Sequence, residues 1–166
     1  LSLFSLGFAI ACGDKDNDDD DTGAVDSVVD DDADGYPADY DCDDADYIMV
    51  GLGSITDDVR AVLPYLRSQG MKVGVVSVKL LQPFPEAELI AALSGAKAVT
   101  VLERSDQTAL TSLVTSALFK ARANAEPGPD GTAQYVGIPA LSATPRLTTA
   151  IFGLGGHDVQ PRHLIA

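Results

Sequence analysis

The chain has no tryptophan, two cysteines, two histidines and two methionines in 166 residues, and aromatic residues make up only 6%. Each scarcity excludes something. Cys12 and Cys42 are too few for the four thiolates of an iron-sulfur cluster or an all-cysteine zinc site. A disulfide between them suits an exported chain, yet nothing in the sequence requires one. His157 and His163 have no cysteine, histidine or carboxylate at metal-ligand spacing, so surface positions are expected. There is no G-x-S-x-G elbow, no H-E-x-x-H and no pair of catalytic carboxylates. No apolar run approaches the roughly 20 residues that cross a bilayer. Basic residues form no stripe, which argues against nucleic acid as a partner.

What is present divides near Asp46. Residues 14–46 hold sixteen Asp and one Lys, a net charge of −15, whereas residues 47–166 hold ten basic and nine acidic residues, a net of +1. Like charges at that density repel and stay solvated. The chain therefore reads as three stretches: an apolar segment over residues 1–12, an acidic and disordered linker over residues 13–45, and a globular domain over residues 46–166. About 120 residues suffice to bury a real core.

The opening LSLFSLGFAIA has the length of a signal-peptide apolar region, not of a membrane span. It ends in Ala9-Ile10-Ala11-Cys12-Gly13, which resembles a bacterial lipoprotein cleavage box, with Cys12 as the lipidated residue and Ala9 where Leu is commoner. The plain alternative is a buried apolar terminus. Only in the lipidated form would the chain meet a membrane.

Within the acidic stretch, Asp30-Asp31-Asp32-Ala33-Asp34-Gly35-Tyr36 fits D-x-D-x-D-G, the opening of a calcium loop. Asp30, Asp32 and Asp34 would converge on one hard cation, Gly35 permits the turn, Tyr36 supplies a carbonyl, and Asp41 at the twelfth position closes the shell. Asp in place of Glu shortens that last reach. The continuation Tyr40-Asp41-Cys42-Asp43-Asp44-Ala45-Asp46 resembles the thrombospondin type 3 calcium repeats of exported proteins. One copy without flanking helices implies an affinity of roughly 10⁻⁴ to 10⁻³ M. The alternative is a solvated acidic linker that binds nothing.

From Asp46 on, short β-branched runs alternate with amphipathic ones. Strands are expected at residues 47–50, 72–81, 97–103 and 146–152, with helices at 57–69, 86–93 and from Asp106 or Thr108 to about 123. Asp158 and Pro161 open one more helix, and the outer ends of the chain read as cut. Alternating strands and helices predict a three-layer α/β fold, a mainly parallel sheet with helices on both faces.

Two places could carry chemistry. Gly51-Leu52-Gly53-Ser54 follows a strand and opens a helix, where a phosphate could sit, but it lacks a third glycine and a Gly-Lys-Ser/Thr, so a plain capped turn is favoured. Glu103-Arg104-Ser105 follows a strand at its carboxyl end and is expected to serve an ordinary ion pair. The residues alone support no active site.

Four blocks carry a family resemblance: Asp46-Tyr47-Ile48-Met49-Val50-Gly51-Leu52-Gly53-Ser54; Gly74-Val75-Val76-Ser77-Val78-Lys79-Leu80-Leu81-Gln82-Pro83-Phe84-Pro85; Val101-Leu102-Glu103-Arg104-Ser105; and Phe152-Gly153-Leu154-Gly155-Gly156-His157-Asp158-Val159-Gln160-Pro161. In this order they resemble the pyruvate:ferredoxin (2-oxoacid:ferredoxin) oxidoreductase family. Residues 46–166 are similar to its transketolase C-terminal-like domain. The resemblance implies a cytoplasmic enzyme that uses thiamine diphosphate, Mg²⁺ and iron-sulfur clusters, takes coenzyme A and reduces ferredoxin. Those cofactors would be bound by other domains or subunits, because no G-D-G motif and no cluster cysteines occur here. The implied role is a non-catalytic assembly domain, inactive as an isolated chain.

A lipoprotein leader does not suit a cytoplasmic enzyme. Either two genes are fused, or two sequences are joined with Asp43-Asp44-Ala45-Asp46 as their overlap, and the abrupt change of charge favours the second. A lipid-anchored, calcium-binding cell-surface protein is the competing function. A nucleotide module built on Gly51 to Ser54 ranks last.

Overall fold

The protein is represented by a computed structural model that describes residues 10–11, 42, 44–126 and 128–165. In chain order the elements are β1 (Ile10–Ala11), β2 (Tyr47–Leu52), α1 (Ile55–Ser68), β3 (Val73–Val78), α2 (Glu86–Leu93), β4 (Ala98–Glu103), α3 (Ala109–Asn124), β5 (Arg146–Ile151), a 3₁₀ turn (Leu154–Gly156) and α4 (Pro161–Leu164). They build one sheet in the order β1-β3-β2-β4-β5. All pairs are parallel except β1 with β3, which joins Ile10 to Val78 and Ala11 to Ser77 in antiparallel register. The expected three-layer α/β architecture is what forms, with five strands where four were expected.

Parallel strands covered on both sides read as continuous apolar runs. β3, Val-Gly-Val-Val-Ser-Val, is buried at every position. On one face Val76, Val78, Val99 and Val101 pack with Leu89, Ile90 and Leu93 of α2 and Leu110, Val114 and Ala117 of α3. On the other, Val73, Val75 and Leu102 meet Ile55, Val59, Val62, Leu63 and Leu66 of α1, with Val159 and Leu164 packed at the margin. The amphipathic stripe of α1 is thus the second half of the core.

Two glycines set how closely the pieces approach. A Cβ on Gly51 would lie 2.9 Å from Ile55 Cγ2 and 3.0 Å from Thr56 Cγ2, so β2 can run this close to the start of α1 only without a side chain. At Gly74 a Cβ would meet Ala45 Cβ at 3.1 Å and Cys42 Sγ at 3.4 Å.

That second contact carries a correction. Cys42, placed outside the globular part by its acidic neighbours, is 4% exposed, and Ala45 is 3% exposed. Both belong to the α2 and α3 side of the core. Cys42 is disulfide-bonded, and its sulfur lies 3.6 Å from the Val75 carbonyl oxygen. The packed region therefore reaches back past the charge break. Asp44 and Asp46 explain how: Arg67 holds both oxygens of Asp44 at 2.9 and 3.1 Å, and Lys97 holds Asp46 at 2.8 Å. Asp44 and Asp46 are neutralised by partners in the domain, and Ala45 between them is buried.

Of the apolar opening, the described residues Ile10 and Ala11 form the two-residue edge strand β1. Cys12, Asp30, Asp32, Asp34, Tyr36 and Asp41, the candidate lipidation and calcium positions, lie outside the described residues.

Candidate functional site

Strand order places the opportunity for a site. From β2 the chain passes over α1 to β3 on one side, then returns over α2 to β4 on the other, so β2 and β4 part company at their carboxyl ends. Open α/β sheets bind ligands at such switch points. A cleft of about 380 Å³ lies there, lined by Ser54, Asp57 and Asp58 after β2, Arg104 after β4, and Phe152, Gly153, His157 and Asp158 after β5. A neighbouring hollow of about 310 Å³ is shared with Leu102, Ala150 and Leu164.

The glycine turn before α1 is built as a turn. Gly53 takes φ 76°, in the left-handed region that suits glycine. The Thr56 amide and hydroxyl both donate to the Gly53 carbonyl, at 3.1 and 2.9 Å, and the Asp57 and Asp58 amides donate to the Ser54 carbonyl. Ser54 occupies the cap position without a side-chain bond. Asp57 and Asp58 suit the positive end of α1, and Asp57 also pairs with Arg60 at 3.1 Å. Amides committed to local carbonyls beside two carboxylates make a poor phosphate cradle.

Glu103 departs from expectation. It is 6% exposed at the end of β4, and its carboxylate accepts the Thr111 amide at 2.6 Å. Thr111 lies in the first turn of α3, whose cap residue is Thr108 in a left-handed conformation (φ 45°) with no side-chain cap bond. Glu103 therefore supplies the missing cap from another element, in place of the expected ion pair. Sequence reasoning missed this because the donor and acceptor are eight residues apart. The available signal was a buried-strand acid followed by a helix lacking a strong cap of its own.

Arg104, next in the chain, turns out to the cleft. A Cβ on Gly153 would meet its Nε at 3.3 Å, so this glycine, at φ 65°, admits the guanidinium. His157 and His163 are exposed, as expected. The His163 imidazole accepts the Gln160 amide at 3.2 Å and caps α4.

The cleft thus offers one guanidinium, one imidazole and the carboxylates of Asp57, Asp58 and Asp158. Three anionic groups oppose a diphosphate. Among the described residues no three His, Cys, Asp or Glu side chains are grouped to hold a metal ion. Cys42 is tied up in a disulfide and is no cluster ligand. Thiamine diphosphate, its magnesium and an iron-sulfur cluster therefore do not fit these residues. Among the described residues no helix is long and apolar enough to cross a membrane.

Comparison with known proteins identifies the family of this domain. Residues 45–137 match the family described as pyruvate:ferredoxin oxidoreductase core domain II. The chain is 32% identical over 129 residues to pyruvate synthase subunit PorA of Thermotoga maritima, covering 75% of this chain and 28% of that protein. It is 30% identical over 124 residues to ketoisovalerate oxidoreductase subunit VorA of Pyrococcus furiosus, covering 75% and 27%. A solved 2-oxoglutarate:ferredoxin oxidoreductase from Magnetococcus marinus, with 2-oxoglutarate, coenzyme A and succinyl-CoA bound, shares the fold with TM-score 0.50 and 24% identity over 74% of this chain and 17% of that one. The match thus spans little more than a quarter of these curated relatives.

Proposed function

Since the chain belongs to the pyruvate:ferredoxin oxidoreductase family through its core domain II, we propose that it serves as a non-catalytic assembly domain of a thiamine diphosphate-dependent 2-oxoacid:ferredoxin oxidoreductase. The observation that carries this reading is the combination of a family-matched α/β core with a switch-point cleft whose charges repel a diphosphate. The chain's own chemistry is to present shape. Glu103 fixes α3 against β4, Gly51 fixes α1 against β2, and the carboxyl rim of the sheet, with Arg104 and His157 on it, faces outward for neighbouring domains. Thiamine diphosphate, Mg²⁺, the clusters, coenzyme A and ferredoxin engage those neighbours, and the location implied is the cytoplasm.

The test is reconstitution. The chain alone should give no 2-oxoacid-dependent ferredoxin reduction, while an enzyme of this family lacking its own core domain II should regain activity when this domain is spliced in. Turnover by the isolated chain would overturn the non-catalytic assignment. A spliced enzyme that folds, loads thiamine diphosphate and stays inactive would overturn the assembly role.

A further inference from the structure

The disulfide of Cys42 has no part in the proposed function. Cys42 is 4% exposed, belongs to the α2 and α3 side of the core, and is disulfide-bonded. The sequence has two cysteines, Cys12 and Cys42, so a partner within the chain can only be Cys12. The described residues agree with that pairing. The Cys42 sulfur lies 3.6 Å from the Val75 carbonyl oxygen and beside Gly74, where a Cβ would stand 3.4 Å from it. β1 pairs antiparallel with the same strand, Ile10 with Val78 and Ala11 with Ser77, so its direction leads toward Val76 and Val75. The residue that follows Ala11 is Cys12. Both ends of the acidic stretch therefore converge on β3.

We infer that Cys12 and Cys42 form a redox-sensitive clip that fastens the apolar opening to the outer edge of β3. A sulfur in a disulfide cannot carry a lipid, so the clip and the lipidated form of Cys12 exclude each other. β1 offers only two residues of pairing, too little to hold a segment in water without further support. Disulfides persist in oxidising compartments and are reduced in the cytosol, so the compartment sets the state of the clip. Opening it consumes a dithiol, or two equivalents of a monothiol such as glutathione. The S–S bond breaks, each protein sulfur gains one hydrogen, and the reductant leaves as its own disulfide. Because Cys42 is buried, the attacking thiolate must strike Cys12 and expel the Cys42 sulfur. The Cys42 end keeps its place through the ion pairs of Asp44 with Arg67 and Asp46 with Lys97. The opening is the end that lets go, and β3 becomes an edge.

The test uses the full chain oxidised with a glutathione redox pair. Non-reducing peptide mapping should return the Cys12 and Cys42 peptides joined, two hydrogens lighter than the separate thiols, with no titratable thiol in the folded chain. Dithiothreitol should then lower the unfolding temperature by at least about 5 °C, because the cross-link closes a loop of about 30 residues. It should also speed hydrogen exchange at the edge amides of β3 at least about tenfold, while β4, inside the sheet, is unchanged. Cys12→Ser, which leaves the buried Cys42 side chain alone, should match the reduced chain and no longer respond to dithiothreitol. Two free thiols, a cross-link between separate chains, an acyl mass on the Cys12 peptide, or unfolding and exchange indifferent to reduction would each overturn the clip. A poorly folded Cys12→Ser leaves the mapping and the reduced parent chain to decide.

Discussion

At the residue scale, two side chains hold together pieces that the sequence places far apart. Glu103 caps α3 from the end of β4 through a 2.6 Å bond to the Thr111 amide. Its carboxylate lies in the interior, so truncation leaves an amide donor without a partner. We expect Glu103→Ala to cost about 1–2 kcal/mol, the usual scale for a lost helix cap, read as a lower urea midpoint with an unchanged slope. Arg67 is the second. It donates to the Val73 carbonyl at 2.8 Å and clasps Asp44 with its remaining nitrogens. The hydrogen bond from Arg67 lowers the Asp44 carboxyl below its ordinary value. A depressed acid stabilises the fold above its unfolded-state value, about 3.9, and loses that contribution as pH falls through the folded value. Asp44 is half-exposed, so the pair contributes no more than about 1 kcal/mol. Arg67→Gln should therefore lower stability at neutral pH, and the difference from the parent should shrink below about pH 4 in urea titrations at stepped pH.

At the scale of elements, most of the fold was legible because periodicity and punctuation agree. α2 was expected at residues 86–93, where Pro83 and Pro85 break the chain before an apolar stripe, and it forms there. β4 and β5 end within a residue or two of expectation, since β-branched runs end at Arg104 and at Gly153. α1 begins at Ile55, two residues before the expected Asp57, because the turn closes on Gly53 and leaves Ile55 and Thr56 to bury against β2 and β3. What was not legible depends on contacts between distant residues. Cys42 and Ala45 looked like linker among aspartates, yet they pack against Gly74, with Cys42 in a disulfide and the neighbouring Asp44 and Asp46 paired with Arg67 and Lys97. Gly51, expected in the turn, lies inside β2, and its role there is to admit Ile55 and Thr56. Gly51→Ala would force a contact of 2.9 Å, and we expect a loss of about 1–3 kcal/mol by thermal unfolding, as overpacking usually brings.

At the scale of the whole molecule, the charge break separates two behaviours that one titration can distinguish. Residues 14–46 carry a net −15 and residues 47–166 a net +1. The folded part neutralises Asp44 and Asp46 internally, which leaves the D-x-D-x-D-G stretch of Asp30, Asp32 and Asp34, with Tyr36 and Asp41, as a separate candidate for a hard cation. If those carboxylates converge on calcium, heat should appear at roughly millimolar concentration, and Asp30→Asn with Asp32→Asn should abolish it. Because the α/β core owes its stability to apolar packing and not to the ion, its unfolding midpoint should move by no more than the small increment mass action allows near the dissociation constant. Heat that survives the double substitution would assign the binding to diffuse charge. An unfolding midpoint that climbs steeply with calcium would mean that the acidic stretch and the domain fold as one unit, and that the charge break is no structural boundary.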